Sequence, residues 1–285
     1  MPAPSMIERG AKAAVVAVVA AAAYMLFESQ WIDLREEDLL VPGLPLELSG
    51  LTVLHISDVH AAQPGLNLWT LRKVVRWAGP RRPDLVFLTG DIIDGGLGFD
   101  VCARLLSQLR PRLGMFAVSG NHEYGLSKNP FSCMRRRYPD RTPAGVTCLR
   151  DKCVVLEVPD RDATLVLCGA DYITRGYGLI NDASVGNRGF PVLITHRPPS
   201  ERDPLLKKFP LVFAGHTHGG QIRFPTPWGL VGLHRDAVPY TEGAHIMRDS
   251  LVVISRGVGC TFLPFRLCCR PEAALFRLVA LDGGQ

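Results

Sequence analysis

A chain of 285 residues with 47% apolar and 21% charged side chains carries enough hydrocarbon to bury a substantial core. Disordered, collagen-like and low-complexity classes are excluded, since the first needs fewer apolar residues and the others far more than 28 Gly and 22 Pro. The net charge of +5, from 32 Lys and Arg against 27 Asp and Glu, suits phosphate-bearing ligands or anionic lipid, though a solvated basic face is the commoner reading.

The first element is an uncharged run from Ala13 to Phe27, preceded by Arg9 and Lys12 and followed by the acidic Glu36, Glu37 and Asp38. The run is shorter than the ~20 residues that comfortably span hydrocarbon. An uncleaved membrane anchor is the preferred reading, with a cleavable signal peptide or a segment that embeds without crossing as the alternatives. Basic residues before the run would leave the amino terminus in the cytoplasm and carry the rest across, whereas an embedded segment would not, so the membrane face stays open. Residues 1–30 are therefore read as anchor or signal. Residues 31–50, with Pro42, Gly43, Pro45 and Gly50, are read as a linker, and 51–285 as one domain.

From residue 51, short apolar runs recur: Leu51 to Ser57, Leu85 to Thr89, Met115 to Ser119, Val192 to Thr195 and Leu211 to Ala214. Near-continuous runs of this length suit strands buried on both faces. Between the early ones lie helical patterns. Leu71, Val74, Val75 and Ala78 share one face of the segment Leu66 to Ala78, and Val101, Leu105, Leu106 and Leu109 repeat the spacing. A β-rich carboxyl half follows (Val154 to Val158, Thr164 to Cys168, Leu251 to Ser255, Ala274 to Ala280), which argues α/β with packed sheets flanked by helices.

Each early run ends on a polar cluster: Asp58 and His60; Asp91 and Asp94; Asn121, His122 and Glu123; His196; His216 and His218. Open α/β sheets bind ligands at the carboxyl ends of their strands, which is where these clusters fall. Carboxylate and amide oxygens mixed with imidazoles, and no thiolate, suit Mn, Fe or Zn in a reactive site rather than a structural zinc. The ligands suffice for two ions, with Asp91 best placed to be shared.

In order, the clusters read Asp58-Val59-His60, Gly90-Asp91-Ile92-Ile93-Asp94, Gly120-Asn121-His122-Glu123, His196 and Gly215-His216-Thr217-His218. This resembles the calcineurin-like metallophosphoesterase superfamily, whose motifs are D-x-H, G-D-x-x-D, G-N-H-[DE], a lone His and G-H-x-H. Gly219-Gly220-Gln221-Ile222 and Ser255-Arg256-Gly257-Val258-Gly259 are similar to its membrane-associated bacterial phosphodiesterase branch, which includes UDP-2,3-diacylglucosamine pyrophosphohydrolases of lipid A biosynthesis. The resemblance implies a four-layer α/β/β/α sandwich of two mixed sheets. It implies two divalent metal ions, one held by Asp58, His60, Asp91 and His218 and the other by Asp91, Asn121, His196 and His216. His122 takes the role of general acid, oriented by Asp94. The implied activity is hydrolysis of a phosphodiester or pyrophosphate, with a nucleotide-linked lipid as the example substrate. A phosphomonoesterase, a nuclease and a non-catalytic metal-binding module are the rivals. Two departures stand out: Gly95 where the protein Ser/Thr phosphatases carry Arg, and Arg197-Pro198 where the membrane branch has Asn-Pro.

The remaining polar residues receive plainer readings. His55 is a core histidine, His234 and His245 are surface residues, and Arg135, Arg136 and Arg137 form a solvated basic run or a phosphate contact. Of the eight cysteines, Cys102 and Cys168 read as core thiols; Cys148 and Cys153 are spaced to bridge a turn, but buried or free thiols are the preferred reading. No aromatic-interleaved basic platform is present, so no nucleic acid is expected, and no protein partner is inferred.

Overall fold

The computed structural model describes residues 6–62, 65–94, 96–127, 142–180, 185–227, 229–232, 238 and 240–281. Gly95, the Arg135–Arg137 run and His234 lie outside the described residues. In chain order the elements are α1 (Met6–Gln30), β1 (Asp33–Val41), β2 (Thr52–Ile56), α2 (Leu66–Ala78), β3 (Leu85–Thr89), α3 (Gly96–Leu106), β4 (Gly114–Val118), β5 (Val146–Cys148), β6 (Lys152–Glu157), β7 (Thr164–Ala170), α4 (Tyr177–Ile180), β8 (Phe190–Thr195), β9 (Leu211–Ala214), β10 (Arg223–Thr226), β11 (Gly229–Gly232), β12 (Gly243–Met247), β13 (Ser250–Ile254) and β14 (Glu272–Ala280).

Two six-stranded mixed sheets result, ordered β1-β14-β2-β3-β4-β5 and β12-β13-β9-β8-β7-β6, with β10 and β11 as a separate hairpin. Strands β2 to β5 run parallel, as do β7, β8, β9 and β13. Side-chain alternation assigns the faces. Val53, Leu85, Phe87 and Phe116 point inward to meet Leu167, Val192, Ile194 and Phe213 of the second sheet. Leu54, Ile56, Val86 and Leu88 point outward under Leu71, Val74 and Val75 of α2 and Leu105 and Leu106 of α3. On the far side, Cys168, Leu193 and Val212 are covered by Leu179, Leu205, Leu206 and Phe209. Three apolar seams between four layers result, each fully buried aliphatic side chain contributing about 1.5–3 kcal/mol. Both sheets aim the carboxyl ends of β2, β3, β4, β8 and β9 at one edge of the sandwich, and this places the polar clusters together.

Three features depart from the sequence reading. The segment taken as a linker contains β1, which pairs in parallel with β14 along its whole length. Only Leu39 and Val41 of β1 are buried, so hydrophobic periodicity is weak. The strand is held by its amide ladder and by ion pairs from Arg35 to Glu272 (3.1 Å) and Arg277 to Asp38 (2.7 Å). Cys153 and Cys168, both read as thiols, are bonded to each other, and Cys153 does not bridge to Cys148, because the antiparallel register of β6 on β7 sets Cys153 directly opposite Cys168. The apolar amino-terminal run, finally, is the middle of a longer helix. α1 has 25 residues, about 37 Å at 1.5 Å per residue, which exceeds the ~30 Å of bilayer hydrocarbon.

Candidate metal centre

The loops after β2, β3, β4, β8 and β9 bring together all nine residues singled out in the sequence: Asp58, His60, Asp91, Asp94, Asn121, His122, His196, His216 and His218. Eight of them, all but Asn121, fall into three clusters, Asp58/His60/His218 and His60/Asp94/His122, which share His60, and Asp91/His196/His216, each with its ligating atoms within 4.8 Å of one another. Five of the nine, Asp58, His60, Asp91, His216 and His218, have φ between 49° and 72°. Non-glycine residues adopt that left-handed region at a cost of about 1–3 kcal/mol each, and such strain gathers at sites where side-chain aim matters more than backbone comfort.

The backbone of these turns is cross-braced. Asp58 N–H donates to Gly90 O (3.0 Å) and His60 N–H to Asp91 O (2.9 Å), locking the first loop to the second. Glu123 is buried, and its carboxylate accepts the N–H groups of Asp91 (3.0 Å), Ile92 (2.8 Å), Ile93 (3.1 Å) and Gly120 (2.8 Å). That organising role was missed in the sequence. The signal was present, since Glu123 closes the third motif, but three of its four partners are loop amides 30 to 32 residues upstream. Gly120 and Gly215 are required by space: a Cβ on Gly120 would overlap Asp91 Oδ1, and one on Gly215 would overlap Ser57 Oγ and Asp58 Oδ2.

Within this frame the imidazoles converge in pairs. His60 Nε2 and His218 Nε2 lie 3.0 Å apart, with Asp58 Oδ1 3.4 Å from the latter. His196 Nε2 lies 2.9 Å from His216 Nδ1, 3.2 Å from Asn121 Oδ1 and 3.4 Å from Asp91 Oδ2. His196 Nδ1–H donates to Thr89 O (2.8 Å), which leaves Nε2 with its lone pair directed into the site. Asp91 sits between the two groups, its Oδ2 3.4 Å from His196 Nε2 and 3.8 Å from His60 Nε2.

Burial holds the His60 imidazole down to about 3, helped by the neighbouring His122, and burial together with His60 and Arg266 holds His218 well below its ordinary value. Both are thereby neutral, the ligating form. Burial pushes Asp58 up to about 6, with the Asp91 charge adding to it. Burial also opposes charge on His122, but Asp91, the hydrogen bond to Asp94 and the Asp94 charge override it and raise this imidazole to about 9. His196 is raised to about 10 in the same way, by Asp91 against burial, so without a cation its Nε2 also carries a proton, which a bound cation would displace to reach the lone pair.

The residues fit divalent cations on their own chemistry. Asp58 Oδ1 is buried with no hydrogen-bond partner, as are the Nδ1 atoms of His60 and His218, and the convergent donors are carboxylate and amide oxygens and imidazole nitrogens. Beside them a cleft of about 460 Å³ is lined by Tyr172, Arg175, Thr195, Arg197 and Ser200 among others, and the Tyr172 ring stands 5.8 Å from that of His196. His245 takes no part; it lies in β12, stacked on Tyr240 and donating to Glu242 O.

Residues 51–220 match the calcineurin-like phosphoesterase family. Among individual proteins, the chain is 28% identical over 240 residues to the uncharacterized metallophosphoesterase YkoQ of Bacillus subtilis, covering 83% of this chain and 86% of that one. It is 29% identical over 277 residues to phosphodiesterase YaeI of Escherichia coli, covering 94% and 97%. It is 26% identical over 248 residues to a transmembrane protein with metallophosphoesterase domain from Danio rerio, covering 81% of this chain and 54% of that one.

Proposed function

We propose that this chain, which belongs to the calcineurin-like phosphoesterase family, is a membrane-associated hydrolase of a phosphodiester or pyrophosphate, with a nucleotide-linked lipid such as UDP-2,3-diacylglucosamine as the leading substrate class. The observation that carries the hydrolytic part is the His122–Asp94 pair set against two groups of convergent ligands. Asp58, His60, Asp91 and His218 would hold one cation and Asp91, Asn121, His196 and His216 the other. Two divalent cations, when bound, supply Lewis-acid charge that offsets the phosphate oxygens and lowers the pKa of water.

The chain's own residues supply the rest. His122 Nδ1–H is engaged by Asp94 at 2.8 Å, so Nε2 faces the centre, 3.8 Å from Asp91 Oδ2. An imidazole raised to about 9 is protonated at neutral pH and is in the state to deliver a proton from Nε2 to a leaving oxygen. The cleft beside His196 offers room for a substituent beyond the scissile phosphorus. Arg175 and Arg197 suit a second phosphate there and the Tyr172 ring a flat group, and this supports a diester or pyrophosphate over a simple monoester. The phosphodiesterase name of YaeI and the transmembrane name of the Danio rerio relative point the same way.

The deciding assay uses bis-p-nitrophenyl phosphate and p-nitrophenyl phosphate with Mn(II), before and after His122→Ala. Retained metal with lost diester turnover is the expected result. Absence of hydrolysis of any ester by metal-loaded wild type would leave a non-catalytic metal-binding module. For the lipid-linked substrate the measurement is UMP release from UDP-2,3-diacylglucosamine in detergent micelles; strong diesterase activity without UMP release would remove that substrate.

A further inference from the structure

The carboxyl end of α1 is built into the frame of the metal centre. Glu28 is buried, and its carboxylate accepts the N–H groups of Cys268 (3.1 Å) and Cys269 (2.6 Å), while Arg266 N–H donates to Met25 O (3.0 Å). Cys269 Sγ and Arg266 Nη1 in turn donate to the carbonyl of His218, at 3.2 and 3.3 Å. On the other side Lys73 of α2 donates to Gln30 O (2.6 Å). The helix long and apolar enough to cross a membrane is therefore braced against the catalytic loops, with its apolar stretch exposed along its length.

Around that junction the domain presents an unusual surface. The outer face of α2 carries Trp69, 64% exposed, with Arg72, Lys73 and Arg76, and α2 contains no acidic residue. At its first turn Asn67 donates to His60 O (3.2 Å) and exchanges hydrogen bonds with Cys260 (3.1 and 3.0 Å). Cys260 opens a loop whose tip, Phe262 and Leu263, is about half exposed. The tip is held out by the Gln221 side chain through Thr261 and Leu263 (2.8, 3.2 and 3.0 Å), with Phe262 at φ 60°. Across the junction Trp31 is 49% exposed, under the Arg270 guanidinium at 4.2 Å. Aromatic and aliphatic tips interspersed with cations, around a helix with an uncovered apolar flank, match the chemistry of an anionic bilayer interface.

We propose that the catalytic domain itself rests on an anionic lipid bilayer through Trp69, Arg72 and Arg76 of α2 and the Phe262–Leu263 tip, so that a lipid-borne phosphoester meets the metal centre at the membrane surface. The proposal rests on α1 being a membrane helix and is independent of whether hydrolysis occurs. The apolar length of α1 commits the occupant to lipid; the basic face of α2 commits it to anionic headgroups.

The test uses the full chain reconstituted in vesicles of phosphatidylethanolamine and phosphatidylglycerol, with and without brominated phospholipid, and needs neither metal nor substrate. Trp31→Phe and Trp69→Phe variants isolate each emission by difference. Both Trp31 and Trp69 emission are expected to be lost to bromine, and the Trp69 quenching to disappear with Arg72→Glu plus Arg76→Glu or in phosphatidylcholine vesicles. Quenching of Trp31 with Trp69 untouched would overturn the docking while leaving the anchor, and if chemical cross-links then join two copies through α2 the face is a self-association surface. Quenching of neither would overturn the membrane reading of α1 as well, and diesterase activity of the same preparation, once given Mn(II) and bis-p-nitrophenyl phosphate, would show that the hydrolase reading survives.

Discussion

His122 and Asp94 form a buried imidazole–carboxylate pair, Nδ1 to Oδ1 2.8 Å, that fixes which ring nitrogen of His122 faces the metal centre. Removing the carboxylate charge in Asp94→Asn leaves the ring in place but unaimed. The expected outcome is a loss of diester turnover of roughly 10–100-fold, smaller than that of His122→Ala, with metal content by elemental analysis unchanged. Asp94 also lies in one cluster with His60 and His122. Loss of metal in Asp94→Asn would therefore make it a ligand instead.

Gly120→Ala tests the packing that holds Asp91. The added methyl would overlap Asp91 Oδ1 and lie 2.7 Å from Asp91 N, so the carboxylate proposed to be shared by both cations must move. Metal affinity measured by chelator competition is expected to fall at least ~10-fold, with the far-UV circular dichroism unchanged. Unaltered affinity would mean that Asp91 is not a ligand.

Much of this site was legible because its residues cluster in short motifs at strand ends, where Asp58, Asp91, Asn121, His196 and His216 each follow a recognisable apolar run. What escaped the sequence depends on register or on distant backbone. Cys153 meets Cys168 only through the antiparallel ladder of β6 and β7. In sequence, β1 reads as part of a linker marked by Pro and Gly because only two of its nine residues, Leu39 and Val41, are buried at this sheet edge, too few to show an apolar period. Arg266 carried no motif at all, and its partners are backbone carbonyls.

Arg266 has no exposed surface, and its guanidinium donates to the carbonyls of His218, Cys269, Arg256, Gly257 and Gly259. Arg266→Met leaves these acceptors unsatisfied in the interior. Destabilisation of at least about 3 kcal/mol is expected in denaturant unfolding, with Arg266→Lys intermediate because an ammonium cannot reproduce the planar fork. A cost below about 1 kcal/mol would show that the loops are held by other means.

The Cys153–Cys168 bond closes a 15-residue separation between adjacent strands. Chain-entropy arguments assign about 3 kcal/mol to a loop of that size. Thiol alkylation of unfolded, non-reduced protein should spare these two cysteines, and reduction should lower the unfolding midpoint. Full alkylation without reductant would mean that the pair is dithiol in the isolated protein.

His55 predicts the acid limb of stability. It is fully buried between the sheets, its ring edge-on to Phe213 at 5.2 Å and its Nε2 2.9 Å from Thr89 Oγ1, and burial pushes it down from 6.5 to about 3. Above pH 6.5 the ring is neutral in both states and its contribution is fully present. Between pH 6.5 and 3 the unfolded chain takes up a proton that the folded chain refuses, so stability falls as the pH falls, by about 1.4 kcal/mol per pH unit, and the loss levels off below 3. His55→Gln keeps a polar group near Thr89 but cannot titrate. Between pH 7 and pH 5 the metal-loaded variant should therefore lose about 2 kcal/mol less stability than wild type in urea unfolding. Identical losses in the two proteins would show that the folded state accommodates an imidazolium at this position.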